Sequence, residues 1–398
     1  MEKVKVIIWG IGNSANEVYD SLDFSKCELY GVVDRSEKKH GAIWKERYHI
    51  LFPEQIDMDQ VDYVIISAKS ADSIEKYAID MGISSEKIIL FWKRELESSF
   101  IKKEYLLERE NTLLKMRLRN APYEYGMPVV NFMDNDELFR LLIEEHKSMA
   151  RFGDGEFEII RGKKRGWFQH TDNLLAGRLL NILTEKQDKI VLAIADNFGN
   201  LDKYTDDAAD AIREYLSGNT RQDIMKFLPL DCLYGDAYIT RFYLMYRNKT
   251  YSESVINSFK KLWNNRSLFI VENKYSRMGV GNDLFEGAKY IRRILCPNKN
   301  AFDFYDSIKN MVINNVKEDD LILISLGQTA TVLAYDLGMI GLQAIDIGQI
   351  DTEYEWYLRK SNGREEIKGK SVAEIPWWHE PITLENNEYA GQIIAEII

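Results

Sequence analysis

The chain opens on an apolar run, residues 3–9, that ends in Gly10-Ile11-Gly12-Asn13-Ser14-Ala15 and passes at once into an apolar-periodic stretch reaching Leu22. A strand feeding a helix through glycines is the strongest constraint on the fold, because repeated strand–turn–helix units close into parallel sheets. The order recurs. Residues 29–33 read as a second strand ending at Asp34, 63–67 and 88–91 continue the strand pattern, and 74–81 have helical spacing. A Rossmann-like domain is expected over residues 1–94. Gly10 and Gly12, with Asp34 at the end of the next strand, satisfy a dinucleotide fingerprint. The glycines let a diphosphate approach the backbone, the helix start faces its charge, and the acidic residue receives ribose hydroxyls. No Tyr-x-x-x-Lys segment accompanies them, so NAD is not the expected cofactor. Another nucleotide, a sugar, or a purely structural role stays open.

Leu96, Phe100, Leu107, Leu114 and Leu118 then recur at helical spacing in a charged stretch. One long amphipathic helix is expected between Glu95 and Asn120, either bracing two domains or pairing with a second copy of the chain. Pro122, Gly126 and Pro128 should end it, making residues 95–128 a helical linker. The second domain, 129–398, begins with Asp134 and Glu137, spaced as a capping box before Leu138, Leu141 and Leu142. Strands are expected at 148–152, 189–195, 267–271, 291–295, 321–326 and 343–347, most of them separated by helical stretches. The fold class is α/β, two layered domains joined by a long helix.

A chain of 398 residues accommodates two domains, and 45% hydrophobic content fills two cores. A formal charge of -11 argues against nucleic acid as the partner. Cys27, Cys232 and Cys296 form neither a disulfide framework nor a zinc spacing, which suits a reducing, cytoplasmic compartment. The chain enters its first strand directly from Met-Glu-Lys, so no signal peptide is expected, and no apolar run is long enough to span a bilayer. A lipid-linked acceptor would be met at the inner membrane surface.

The chemistry concentrates at Arg151-Phe152-Gly153-Asp154-Gly155-Glu156-Phe157. Two carboxylates flanking a glycine at a strand's end repel each other unless a cation lies between them. Mg²⁺ and Mn²⁺ take such oxygen ligands and keep open positions for substrate phosphates. Further along the chain come Phe168-Gln169-His170, Ile270-Val271-Glu272, Ser276 to Phe285, Cys296-Pro297 with Asn300-Ala301-Phe302, Leu326 to Leu337, Ala344 to Asp351, and Glu353-Tyr354-Glu355-Trp356. In this order, from about Asp136 to Glu374, they resemble the GT-D-fold glycosyltransferases, a bacterial family long catalogued as a domain of unknown function.

The resemblance implies a metal-dependent transferase that takes a sugar, glucose by family suggestion, from a UDP-sugar. The acceptor would be a glycan, glycoprotein or lipid-linked group in surface glycoprotein or polysaccharide synthesis. Asp154 and Glu156 match the family's Asp-x-Glu and would hold Mn²⁺ or Mg²⁺ against the donor diphosphate. Arg151 is either a diphosphate contact or a salt-bridge partner. Gln169, Arg277, Asn282 and Asp283 are candidate substrate contacts, with Asp283 alternatively capping a following helix. Thr329 and Thr331 sit where a helix start would form an anion pocket, or they are plain caps. Glu272, Asp346 and Asp351 are candidate acid–base groups, Glu272 being equally readable as half of a buried pair. Three departures stand out: Gln328 where proline is usual, Asn273 where glycine is usual, and Gln349 where histidine is usual. Glutamine can hydrogen-bond but cannot move a proton near neutral pH. These departures keep a second reading open, a nucleotide-sugar-binding or regulatory protein with little or no turnover. Trp377-Trp378-His379-Glu380 either stacks on sugar rings or anchors packing.

Overall fold

The computed structural model describes residues 3–69, 71–93, 96, 98–126, 130–163, 169–185, 187–371 and 386–397. Trp377-Trp378-His379-Glu380, Phe168 and Pro128 lie outside them. The chain divides into two compact units, Met1–Arg119 with Asn362–Glu365, and Asn120–Ser361 with Glu366–Ile398.

The first unit is built on β1 (Val4–Trp9), β2 (Cys27–Val33), β3 (Ile43–Trp44), β4 (Tyr48–Leu51), β5 (Tyr63–Ile66) and β6 (Ile88–Leu90), in sheet order β3-β4-β2-β1-β5-β6. All pairings are parallel except the β3–β4 hairpin. Helices α1 (Ser14–Ser21) and α2 (Asp72–Asp80) come after β1 and β5. Val6, Ile8, Val32 and Ile65 form the centre of the core, the expected result for strands buried on both faces.

The long helix, α3, spans Lys103–Glu124, displaced towards the C-terminus from the expected 95–120. Leu96 and Phe100 belong to the first unit's core instead, and Ile101 pairs with Leu22 in an isolated bridge. Nor does Pro122 stop the helix: it lies inside its last turns. Proline there sacrifices a backbone hydrogen bond. Side-chain anchors hold the end: Arg213 donates to both Glu124 carboxylate oxygens at 2.7 and 2.6 Å, and Arg221 donates to Asn120 Oδ1 at 3.0 Å.

The second unit is a nine-stranded sheet among the described residues, every pairing parallel. Its strands are β7 (Asn131–Phe132), β8 (Ser148–Phe152), β9 (Ile190–Ile194), β10 (Leu233–Asp236), β11 (Ser267–Asn273), β12 (Tyr290–Cys296), β13 (Asp320–Ser325), β14 (Ala344–Asp346) and β15 (Ile393–Glu396). They run in the order β15-β12-β11-β13-β14-β8-β9-β10-β7. Alternating residues divide between two cores, one on each face: Phe269, Val271, Ile322 and Ile324 in one, Leu268, Ile270, Leu321 and Leu323 in the other.

Helices α4 (Asn135–Ile143), α5 (Asp154–Ile160), α6 (Asn173–Thr184), α7 (Asp206–Tyr215), α8 (Thr220–Met225), α9 (Thr250–Trp263), α10 (Tyr305–Asn315), α11 (Gln328–Met339), α12 (Ile350–Arg359) and α13 (Asn387–Gln392) complete the unit. Asp134 caps α4 by accepting from Glu137 N at 2.8 Å, but Glu137 turns to Arg140 rather than closing the box. No helix separates β11 from β12. Residues 274–289 cross in turns, so Asp283 caps nothing.

α11 passes so close to β8 that a Cβ on Gly338 would lie 2.7 Å from Ser148 Oγ and 2.9 Å from Ile190 Cγ1. Ser148 Oγ also accepts from Ala344 N at 2.9 Å, so it cannot yield freely. Gly338→Ala is expected to lower unfolding free energy by ~1–3 kcal/mol, overpacking outweighing alanine's better helix propensity. Urea denaturation of the purified chain checks this.

Candidate functional site

Parallel strands bring all their carboxyl ends to one edge of the sheet, where α/β proteins place ligands. The register pairs Phe152 with Ile194, Ile194 with Asp236, and Ile324 with Asp346. The turns leaving β8, β9, β10, β13 and β14 therefore share that edge.

Asp154 and Glu156 open α5 immediately after β8. Asp154 is exposed, whereas Glu156 is buried. Glu156 Oε2 accepts from Gly153 N at 2.7 Å, folding back over the helix start. Burial pushes the Glu156 carboxyl up to about 7; the Gly153 N–H opposes this, and the negative charges of Asp346 and Asp154 add to it. Glu156 is thus a buried carboxylate repelled by two others, the setting a cation would relieve.

Arg151 holds the neighbouring strand ends together. Its Nε donates to the Asp346 carbonyl at 2.8 Å and its Nη2 to Asp346 Oδ1 at 2.9 Å. Its Nη1 reaches Ala237 O and Thr240 Oγ1 at 3.1 and 2.8 Å. Of the two readings left open by the sequence, the geometry is that of the salt-bridge partner. Gly348 has φ +47°, and a Cβ there would stand 2.1 Å from Arg151 Nη2, so the guanidinium's position requires glycine at 348. Burial raises the Asp346 carboxyl, with Arg151 opposing.

The first turn of α11 completes the edge. Thr331 Oγ1 donates to the Arg151 carbonyl at 2.8 Å, so it is a structural tie rather than a free contact. Thr329 Oγ1, Gln328 Oε1 and Ser325 Oγ are buried without a protein partner. Buried polar atoms cost stability unless hydrogen-bonded, so this turn suits a polar ligand. Gln349 lies half-buried at the start of α12, next in sequence to Gly348.

Other candidates are engaged elsewhere. Glu272 is fully buried, paired with Arg293 at 2.6 Å, and accepts from Met278 N at 2.8 Å and from Ser276 Oγ. Asp351 accepts from Gly279 N and Asn282 Nδ2 at 2.8 and 2.9 Å and pairs with buried Lys370 at 2.6 Å. Asn282 also reaches Glu355, and Arg277 donates to Gly369 O, so these residues clamp the 276–285 loop onto α12 and the segment after it. Asp283 accepts from Tyr354 OH and Lys260, which hold its carboxyl below the usual range. Gln169 is buried and accepts from Phe302 N at 3.3 Å, joining two of the family-like segments. In the first unit, Asp34 accepts from Ile11 N, Ser36 N and Lys39 Nζ at 2.8, 2.9 and 2.7 Å. Its carboxylate thereby steadies the Gly10–Gly12 turn rather than presenting itself to a ribose.

The sequence reading gave the strand over 189–195 but no role to the residues after it, and it missed β10. Asp236 Oδ1 accepts from Asp196 N and Tyr238 N at 3.1 and 2.8 Å, and Oδ2 from Tyr246 OH at 3.1 Å. Burial pushes its carboxyl up to about 6, with Lys203 opposing and Asp196 reinforcing. Tyr238, which accepts from Asn197 Nδ2 at 3.2 Å, lies within electrostatic reach of Asp154. The available signal was an aspartate closing each strand-like run, Ala195-Asp196 and Gly235-Asp236.

Among the described residues, no three His, Cys, Asp or Glu side chains are grouped to hold a metal on their own. Mg²⁺-type sites commonly use one or two carboxylates and take the remaining oxygens from substrate phosphates and water. Asp154 and Glu156 fit that donor set. Without metal, Glu156 keeps its proton up to about pH 7, against 4.5 for an ordinary glutamate. The folded state then binds more protons than the unfolded chain between those values. This contribution to stability is full below the lower value and lost as pH rises through about 7. Thermal scans of the metal-free protein should show that loss, and Glu156→Gln should remove this component. If Glu156 is a ligand, Mn²⁺ binding at about pH 6 should release close to one proton from it, measurable by calorimetry in buffers of different ionisation enthalpy.

The chain as a whole is similar to known proteins. Residues 149–375 match the family model described as glycosyltransferase GT-D fold, and residues 2–89 match the model C2185-like, N-terminal. The chain is 34% identical over 269 residues to a probable glycosyl transferase Gly of Streptococcus gordonii, covering 67% of this chain and 39% of that protein. It is 29% identical over 326 residues to glycosyltransferase GlyD of Streptococcus pneumoniae serotype 4, covering 80% of this chain and again 39% of the relative. The chain thus spans well under half the length of these two curated relatives. A solved structure described as the highly conserved domain of unknown function 1792, with a distinct glycosyltransferase fold, superposes with TM-score 0.63 at 35% identity, covering 71% of this chain and 99% of the other. A further one, described as a new glycosyltransferase from Streptococcus sanguinis, gives TM-score 0.63 at 33% identity over 68% of this chain and all of its own length. With more than half of its length matched by that one family model, and with those structures superposing at 33–35% identity, the chain belongs to the glycosyltransferase GT-D fold family.

Proposed function

We propose that the second unit is a metal-dependent glycosyltransferase that moves a sugar from a nucleoside diphosphate donor, UDP-glucose by family suggestion, to a hydroxyl of a glycan acceptor in bacterial surface glycoprotein or polysaccharide synthesis. The observation that carries the reading is the Asp154–Glu156 pair at the carboxyl edge of the sheet, with Glu156 buried under the charges of Asp154 and Asp346. Asp154 and Glu156 would hold Mn²⁺ or Mg²⁺. When bound, the ion neutralises charge developing on the departing diphosphate. The polar atoms of the α11 first turn receive the donor's phosphate or ribose oxygens. Arg151 fixes Asp346 and the Ala237–Thr240 turn around them. Of the three carboxylates proposed as acceptor base, Asp346 is the one whose charge reaches Glu156, and we assign the role to it. Among the described residues no helix is long and apolar enough to cross a membrane, so a lipid-linked acceptor would be met at the bilayer surface.

The test is release of free nucleoside diphosphate from a panel of nucleotide sugars, with and without Mn²⁺. Metal-dependent release that Asp154→Ala abolishes is the expected result. Metal-dependent binding without release, restored to turnover by Gln349→His, would instead favour the nucleotide-sugar-binding reading. Failure to bind any donor would remove the site assignment.

A further inference from the structure

α3 docks on the first unit through one side only. Tyr105 and Leu106 pack against its core, Tyr105 OH donates to Glu17 at 2.8 Å, and Arg109 donates to the carbonyls of Phe91 and Lys93. The opposite side carries Leu107, Asn111, Leu114 and Leu118. The three leucines are large apolar side chains left 49%, 48% and 73% exposed. The spacing of the four residues, four, three and four, is that of the d and a positions of a heptad repeat, with Asn111 at a. A solvated helix needs no such stripe, and isolated exposed leucines do not fall on one seam.

The flanking charges decide what covers it. With Leu107 and Leu114 at d, the g positions are Lys103 and Glu110 and the e positions are Glu108 and Lys115, all exposed. In a parallel, in-register pair each g residue faces the e residue five positions on in the partner. Lys103 then faces Glu108, and Glu110 faces Lys115, so both charged pairings are of opposite sign; the third g residue, Arg117, faces the uncharged Pro122. Asn111 meets its own counterpart, the arrangement by which a single a-position asparagine sets register and limits assembly to two strands. A sequence complementary to itself in register and charge identifies its own partner.

We propose that the 107–118 face of α3 is a parallel, two-stranded coiled-coil seam that binds a second copy of this chain. The seam is short, so the dimer is concentration-dependent. It would set two transferase units side by side and raise the local concentration of the second for an acceptor held by the first.

Sedimentation velocity of the full chain over a range of concentrations tests this. The wild type is expected to pass from monomer to dimer. Leu114→Glu and Leu118→Glu, both at exposed positions, should each weaken dimerisation at least ~tenfold, since each removes a buried leucine, with thermal stability of the dilute monomer unchanged. Glu110→Lys should weaken it too, and adding Lys115→Glu should restore it, whereas in an antiparallel pair that exchange would bring like charges together. Asn111→Cys should cross-link two copies through position 111 under oxidation, in excess of any cross-linking of wild type through Cys27, Cys232 or Cys296. A wild type that stays monomeric, a dimer indifferent to the leucine changes, or a charge exchange that fails to restore pairing would overturn the proposal.

Discussion

Replacing Asp154 with asparagine is expected to cut metal-dependent donor turnover by ~10²–10³, the scale on which a preorganised charge-stabilising group acts, while thermal stability stays close to wild type. Asp154 is exposed in the first turn of α5, where replacing a carboxylate with its isosteric amide costs little and also relieves its repulsion of Glu156. Glu156→Gln should be as damaging to turnover but opposite in its effect on the metal-free fold. It removes a carboxyl that burial and the charges of Asp346 and Asp154 hold near 7, and it keeps an oxygen for the Gly153 N–H. Metal-free Glu156→Gln should therefore melt at a higher temperature than wild type above about pH 7. Two variants that both lose activity yet diverge in stability separate a ligand pair from a structural acidic turn, in which activity would only follow folding. Steady-state turnover and calorimetric melting, measured on the same preparations, check both halves.

Arg293→Met is expected to be the most destabilising of these single changes. It strands the fully buried Glu272 carboxylate, and breaking one side of a buried pair typically costs ~3–5 kcal/mol. Adding Glu272→Gln removes the stranded charge while leaving an acceptor for Met278 N, so the double variant should recover much of the loss. Glu272→Gln alone is informative for chemistry. If Glu272 serves structure, turnover per folded molecule is nearly unchanged. If it were the acceptor's base, turnover would fall by ~10²–10⁴ without a matching loss of stability. Urea denaturation and an active-fraction-corrected rate decide between them.

β1, β9, β11 and β13 are legible because each carries an apolar run, as strands buried on both faces do. β7 and β10 are not. Asn131–Phe132 and Leu-Tyr-Gly-Asp are short, partly polar segments that become strands only by pairing with each other and with β9. Missing β10 meant missing Asp236 and the Ala237–Thr240 turn on which Arg151 leans. Helical periodicity placed Leu96 and Phe100 on α3, but spacing alone cannot tell a helix face from an extended segment whose side chains enter a neighbouring core. The polar candidates divide by a property that sequence does not carry, the partner already in place. Glu272 has Arg293, Asp351 has Lys370, and Asp34, expected to receive ribose hydroxyls, has the backbone of the Gly10–Gly12 turn. Asp154 and Glu156 stood out because two acids flank a single glycine; Arg151, three residues before Asp154, is turned to Asp346.

If Asp154 and Glu156 hold a divalent cation against a donor's diphosphate, metal and nucleotide must bind cooperatively, and calorimetric titration of UDP into the full chain reads that cooperativity. With Mn²⁺ present, UDP should bind at least ~tenfold more tightly than in chelator, a coupling of about 1.4 kcal/mol or more between metal and nucleotide. Asp154→Asn should abolish that difference while leaving the metal-free affinity unchanged. Equal UDP affinity with and without metal, or a metal effect that survives in Asp154→Asn, would contradict the assignment of these two carboxylates as the metal ligands.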